Sequence, residues 1–120
     1  LAKSKPLIKQ VNDAFNARYK INFTGNSART FTGLMVLADA INRAGATEPE
    51  AIRKALAATD IPAKSLIMPW KGVKFDATGQ NTLGQGILTQ IKDGQYHTVW
   101  PFNMASQDPI WPMPKWDQRK

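Results

Sequence analysis

Few residues of this 120-residue chain have the types and spacing that catalysis requires. His97 is the single histidine and falls in a predicted strand, with no cysteine or neighbouring serine to build a nucleophilic triad. Asp39 falls on a predicted helix and Asp76 in a predicted turn, so they do not form a carboxylate pair for acid–base chemistry. The sequence therefore predicts a protein that is not an enzyme.

Metal and cofactor sites have equally little support in the sequence. The chain has no cysteine, which excludes disulfides and thiolate metal sites. Asp76 begins a stretch that resembles a calcium loop, but the bidentate glutamate that such a loop needs is absent. Gly79, Gly84 and Gly86 fit neither the dinucleotide-binding nor the Walker spacing. We expect no metal and no cofactor.

The net charge of +7 would allow an anionic partner, but the basic residues are scattered along the chain in runs of at most two. No RNA-binding pattern of aromatic and basic residues is present. We therefore expect no nucleic-acid partner.

No apolar run approaches the roughly 20 residues that span a bilayer. Leu1 is not the start of an export signal, so we expect that any such signal was removed or lay upstream, and that the chain is an excised or processed segment.

The stretch from Ser27 to Gly45 is predicted to be the central helix, over residues 27–44. Asn26 and Ser27 suit its start, and Gly45 suits its end. The helical spacing indicates one apolar face, which consists of Phe31, Leu34, Met35, Ala38 and Ile41. Val36 and Leu37 extend the apolar surface around most of the helix. Such a helix must be covered on more than one side.

Two further helices are predicted beside it. Residues 6–19 form the first, because Pro6 suits an initial turn and apolar residues recur every three or four positions. Residues 48–58 form the other, with a capping box between Thr47 and Glu50. Residues 60–62 are expected to end that helix.

The rest of the chain has the composition of short strands and turns. Residues 72–75 are a strand candidate, ended by a turn at Asp76. Residues 86–100 are predicted to form a β-hairpin around a type I′ turn at Asp93-Gly94. The turn fixes a register, with these opposed pairs: Ile91–Tyr96, Gln90–His97, Thr89–Thr98, Leu88–Val99 and Ile87–Trp100. The tail from Pro101 is rich in proline and tryptophan and is expected to be extended.

Several segments in this order resemble a known family. They are residues 27–33 (SARTFTG), 36–45 (VLADAINRAG), 47–56 (TEPEAIRKAL), 72–76 (GVKFD), 79–81 (GQN), 90–96 (QIKDGQY) and 99–101 (VWP). Together they resemble the late portion of the substrate-binding proteins of branched-chain amino-acid ABC transporters, the Leu/Ile/Val-binding family. The resemblance covers nearly the whole chain and is weakest over residues 1–25.

The resemblance implies an α/β fold, as the C-terminal segment of a two-lobe type I periplasmic binding protein. Within it, residues 1–85 would supply mainly first-lobe elements, and residues 86–120 would form a crossover, the hairpin and the tail. The implied location is periplasmic, or extracellular and membrane-associated in a Gram-positive source. Most of the ligand site would lie outside these 120 residues.

The implied function is capture of an amino acid or related small carboxylate and its delivery to an ABC permease in the membrane. Besides the solute and the permease, the rest of the parent chain would be a partner. In the family the start of the central helix borders the ligand cleft, which points to Ala28, Arg29 and Phe31. An alternative is an autonomous small basic module that binds an acidic partner. The segment does not select the solute.

Overall fold

Three helices precede two small antiparallel sheets in the computed structural model, which describes residues 5–118. The helices are α1 (Pro6–Tyr19), α2 (Gly25–Ala44) and α3 (Pro49–Ala57). The first sheet pairs β1 (Asp60–Pro62) with β2 (Gly72–Lys74), and the second pairs β3 (Leu88–Lys92) with β4 (Gln95–Trp100). The mixed α/β character expected from the sequence is confirmed. None of the helices in residues 5–118 is long and apolar enough to cross a membrane.

The ends of α1 and α2 follow from local capping chemistry. Pro6 occupies the first turn of α1, as predicted, and Lys20 closes that helix in the left-handed conformation. At the start of α2, the hydroxyl of Thr24 accepts a hydrogen bond from the Ser27 amide at 3.2 Å. The prediction that Asn26 or Ser27 caps this helix is therefore wrong, because Thr24 does so and α2 begins at Gly25.

The start of α3 and the strand after it also differ from prediction. Glu48 is the N-cap of α3 and makes no side-chain capping bond, so the predicted capping box is not formed. Residues 60–62, which were expected only to end the helix, form β1, and Ile61 pairs with Val73. A three-residue strand is stabilised by its partner and by burial rather than by its own sequence pattern, which is why periodicity does not reveal it.

The core lies where α2, α3 and the first sheet meet. Val36, Leu66 and Val73 are buried there, and the side chains packed against them are Leu56, Ile61, Trp70 and Phe75. The buried positions of α2 are Thr32, Val36 and Ala40. The buried hydroxyl of Thr32 is satisfied because it donates to the Ala28 carbonyl oxygen at 2.8 Å.

The predicted core face of α2 is therefore wrong. Leu34 and Met35 are 63% and 52% exposed, and Ile41 is also exposed. The face that packs against α3 carries smaller side chains, which let the two helices approach each other closely. The periodicity of large apolar residues instead marks a face that the described chain leaves uncovered.

The turn after β2 has the predicted aspartate chemistry. β2 ends at Lys74 rather than at the predicted residue 75, and Phe75 forms an isolated bridge with Asn81. The carboxylate of Asp76 accepts bonds from the Thr78 hydroxyl at 2.6 Å, the Thr78 amide at 2.8 Å and the Gln80 amide at 3.1 Å. These bonds, that from the Thr78 hydroxyl above all, hold the pKa of Asp76 below its usual value.

The second sheet is the predicted hairpin, over shorter strands than residues 86–100 suggested. Asp93 and Gly94 both have positive φ, 52° and 70°, as a type I′ turn requires. The pairs nearest the turn form as predicted, namely Ile91–Tyr96, Gln90–His97 and Thr89–Thr98. Beyond them the register shifts, and Leu88 lies opposite Trp100 instead of Val99. A β-bulge adds one residue to one strand, which local alternation does not predict.

Hydrogen bonds join the tail to this hairpin at Thr98, which accepts from Ser106, and at Gln90. The Ile110 amide donates to Gln90 Oε1 at 2.8 Å, and Gln90 Nε2 donates to the Ile110 carbonyl at 3.1 Å. The prediction of an extended tail holds only in part, because Phe102–Met104 and Trp116–Gln118 each form a single 3₁₀ turn.

Candidate functional site

A cavity of about 510 Å³ opens beside the start of α2. Four segments line it: the inner face of α1, the connection into α2 with its first turn, residues 67–70, and residues 85–87. Three of these segments have no regular secondary structure over much of their length. Their positions therefore depend on side-chain bonds, which tie them to the helices.

Lys5, the N-cap residue of α1, ties the segment between β1 and β2 to the start of that helix. Its ammonium donates to the carbonyl oxygens of Ala63 at 3.0 Å, Leu66 at 3.4 Å and Met68 at 2.6 Å. Partial burial lowers the pKa of Lys5, since removal from water disfavours the charged form. These three bonds hold residues 63–68 beside the start of α1. Residues 67–70, at the end of this segment, line the cavity.

The connection between α1 and α2 is packed and not a loose linker. The Phe23 amide donates to Asn12 Oδ1 at 2.8 Å, which joins the connection to α1. The Phe23 ring meets Phe15 and Phe31 edge-on, with centroids 4.9 Å and 6.1 Å apart. Such edge-to-face pairs favour one ring arrangement. Phe23 is thereby fixed in the cavity wall.

The start of α2 borders the cavity at Thr24, Gly25, Ala28 and Arg29. Capping by Thr24 uses the Ser27 amide, and the Thr24 carbonyl accepts from the Ala28 amide at 2.9 Å. The amides of Gly25 and Asn26 have no acceptor within the helix, because the first amides of any helix lack one. Together with the positive end of the helix dipole, they favour a bound anion.

The side chains around the cavity have a marked charge asymmetry. The charged lining residues are Arg29 and Lys9, the second of which pairs with Asp13 outside the lining, and the lining itself includes no aspartate, glutamate or histidine. Arg29 makes one long bond, at 3.5 Å, to the side chain of Asn26. Most of the remaining wall is apolar: Ile8, Val11, Phe23, Ile67, Met68, Pro69, Trp70 and Ile87. This arrangement suits an apolar molecule that carries one carboxylate.

The part of the chain that the structure covers contains no group of side chains suited to a metal ion. Over residues 5–118, no three His, Asp or Glu side chains come together in a way that could hold a metal ion. His97 lies in β4 opposite Gln90 and does not line the cavity.

The structure brings together two of the three residues that the sequence singled out. Ala28 and Arg29 line the cavity, whereas Phe31 does not line it and packs against Phe23. Sequence analysis did not single out Phe23 or Trp70, which also line the cavity. The signal available for both was an aromatic residue in a stretch without periodicity. Contact of any of these residues with a solute stays a prediction.

Comparison with known proteins finds distant relatives among solute-binding proteins. The chain is 30% identical over 97 residues to "Leu/Ile/Val-binding protein homolog 7" of Brucella suis, a match that covers 80% of this chain and 24% of that protein. It is 31% identical over 101 residues to "Leu/Ile/Val-binding protein homolog 8" of Brucella abortus, covering 83% of this chain and 25% of that protein. The chain thus spans about a quarter of the length of these curated relatives. No family model matches the chain.

Proposed function

We propose that this chain is part of the solute-binding component of an ABC importer for an amino acid or a related small carboxylate. The observation that carries the proposal is the cavity at the start of α2, whose largely apolar wall also includes Arg29 and the first residues of that helix. The names of the Brucella relatives support the same class of solute. Binding would take place without any covalent step.

The proposed pose follows from the chemistry of the wall. The solute carboxylate would accept hydrogen bonds from the amides of Gly25 and Asn26, and Arg29 would supply a charge-assisted partner. The apolar side chain of the solute would lie against Ile67 and Trp70, which line the same cavity. We include Ala28 in the site for its position beside Arg29. Phe31 would act on the solute only through the ring of Phe23.

The wider assignment rests on the length of the relatives. We propose that the chain is the C-terminal portion of a two-lobe periplasmic protein, with residues 1–85 in the first lobe and residues 86–120 crossing over. The remaining ligand contacts would come from parts of the protein outside these 120 residues. A membrane permease would receive the solute.

Calorimetric titration tests the proposal on the protein expressed from its complete reading frame. We expect leucine or another amino acid to bind, and 3-methylbutylamine, which has leucine's side chain and amine but no carboxylate, to bind far more weakly. The Arg29→Ala variant should bind the best ligand about 10- to 100-fold more weakly, which is the effect of losing one charge-assisted bond. Arg53→Ala, on the exposed side of α3, is the control.

Two results would contradict the proposal at different levels. Equal affinity of Arg29→Ala and the unmodified protein would remove Arg29 from the site. The absence of binding across a panel of amino acids and aromatic carboxylates would overturn the solute-binding function itself.

A further inference from the structure

The amphipathic pattern of α2 is inverted. From Thr30 to Asn42 its exposed positions include no charged residue, and they are Thr30, Gly33, Leu34, Met35, Leu37, Ala38, Ile41 and Asn42. The ion pair of this helix lies toward α3 instead. Arg43 bonds Asp39 at 2.8 Å and donates to the Ala55 carbonyl at 2.7 Å. A helix on a protein surface normally has the opposite arrangement, with charges toward water.

We propose that the exposed apolar face of α2, defined by Leu34, Met35, Leu37, Ala38 and Ile41, is an internal packing surface that a further layer of the same polypeptide covers. The proposal concerns architecture and does not depend on the identity of the solute. It rests on the proposed assignment of the chain to a longer protein, and the occupant that it assigns to this exposed face is an apolar layer outside these 120 residues.

The width of the face argues for a broad layer rather than a single helix from a second copy. At 100° per residue, the arc from Leu37 through Ile41 and Leu34 to Met35 spans about 160°. Two helices that pair across a coiled-coil seam cover a narrower stripe than this. The opposite side of α2 is already buried at Val36 and Ala40. The helix therefore has the pattern of one enclosed between two layers.

Two measures of the chain support an occupant from the same polypeptide. The matched relatives are about four times as long as the matched region, so they have the chain length for another layer. The radius of gyration is 17.7 Å, and the longest extent is 59 Å. A closed domain of this length would have a radius of about 14 Å. The described elements are thus spread more widely than a self-contained core would allow.

Methionine oxidation in the unmodified protein tests this placement without any substitution. Met35 is 52% exposed, Met113 is 60% exposed and Met68 is 8% exposed in the present structure. In the protein from the complete reading frame, the peroxide oxidation rate of each methionine, relative to its rate in urea, is measured by mass spectrometry. We expect Met35 to be protected like Met68, at least about tenfold. Met113 is the exposed reference.

Three results would overturn the proposal. The first is oxidation of native Met35 as fast as in urea, and the second is a reading frame that encodes only these 120 residues. The third is protection of Met35 that disappears on dilution, which would identify a second copy as the occupant. None of these results involves the solute, so they are separate from a failure to bind amino acids. A Leu34→Cys variant labelled with a charged maleimide, compared with the unmodified protein treated in the same way, gives an independent second measurement, because these 120 residues contain no other cysteine.

Discussion

Replacing Arg43 with methionine should destabilise the junction of α2 and α3 by about 2 kcal/mol. The guanidinium donates to the Ala55 carbonyl at 2.7 Å and to the Thr59 hydroxyl at 2.9 Å, and it pairs with Asp39 on its own helix. The Ala55 carbonyl belongs to the last turn of α3, where carbonyls lack intrahelical partners. Thr59 is 1% exposed, so its oxygen cannot turn to water.

The magnitude comes mainly from the bonds to Ala55 and Thr59. A hydrogen bond from a charged donor contributes up to about 1.5–3 kcal/mol net, and the partial exposure of Arg43 reduces each of these two bonds to about 1 kcal/mol. The Asp39 pair is more than a third exposed at each partner and adds at most about 0.5 kcal/mol. Methionine keeps the apolar stem, so the loss reflects the guanidinium rather than packing.

Urea unfolding followed by circular dichroism measures the effect. The midpoint for Arg43→Met should fall by about 1 M, given a slope of about 1–3 kcal/mol per molar urea. Arg53→Met is the matched control, because Arg53 makes two bonds to Glu50 at 2.7 and 2.8 Å but lies on the exposed side of α3. Its midpoint should not change measurably. Equal midpoints for the two variants would refute the idea that Arg43 joins the helices.

Three smaller predictions concern turns and close contacts. Gly72→Ala should cost about 1–3 kcal/mol, because its Cβ would lie 2.7 Å from the Ile61 carbonyl oxygen, whereas Gly86→Ala meets nothing within 4 Å and serves as the control in the same urea assay. Gly94→Val should cost about 1–2 kcal/mol, since φ there is +70°, and an unchanged midpoint would point to a different turn. Asp76→Ala should lower stability at pH 7, and its difference from the unmodified protein should shrink in acid. The pKa of Asp76 is lowered in the fold, so the charge-dependent part of its contribution is complete above the ordinary value of about 3.9 and is lost as the pH falls through the folded value. A difference that stays undiminished in acid would contradict this origin.

The parts of the fold that local chemistry decides were predictable from the sequence. α1 has the predicted bounds because Pro6 and the apolar spacing act within the helix itself. The hairpin turn forms at Asp93-Gly94 because few residue pairs accept two successive positive φ angles. The aspartate turn at Asp76 is also local, since its bonds reach only four residues along the chain.

The parts that depend on distant partners were not predictable. The strand at residues 60–62 exists because it pairs with β2, and a pattern of only three residues cannot predict this pairing. We predicted that the larger apolar residues form the core face of α2. In the structure, the packing against neighbouring elements buries Val36 and Ala40 instead. In the candidate site, Arg29 was singled out through the resemblance to a family in which the start of this helix borders the ligand cleft. Trp70 was missed because only tertiary folding brings it to that place.

Amide chemical shifts of the isotopically labelled protein from the complete reading frame test the central claim most directly, because they report where a solute binds. Leucine is titrated to millimolar concentration, with 3-methylbutylamine as the control that lacks the carboxylate. The account predicts that the largest leucine-dependent shifts occur at the amides of Gly25, Asn26 and Ala28, and that the amine produces much smaller ones. Shifts confined to the hairpin or the tail, or equal responses to the two compounds at the start of α2, would contradict it.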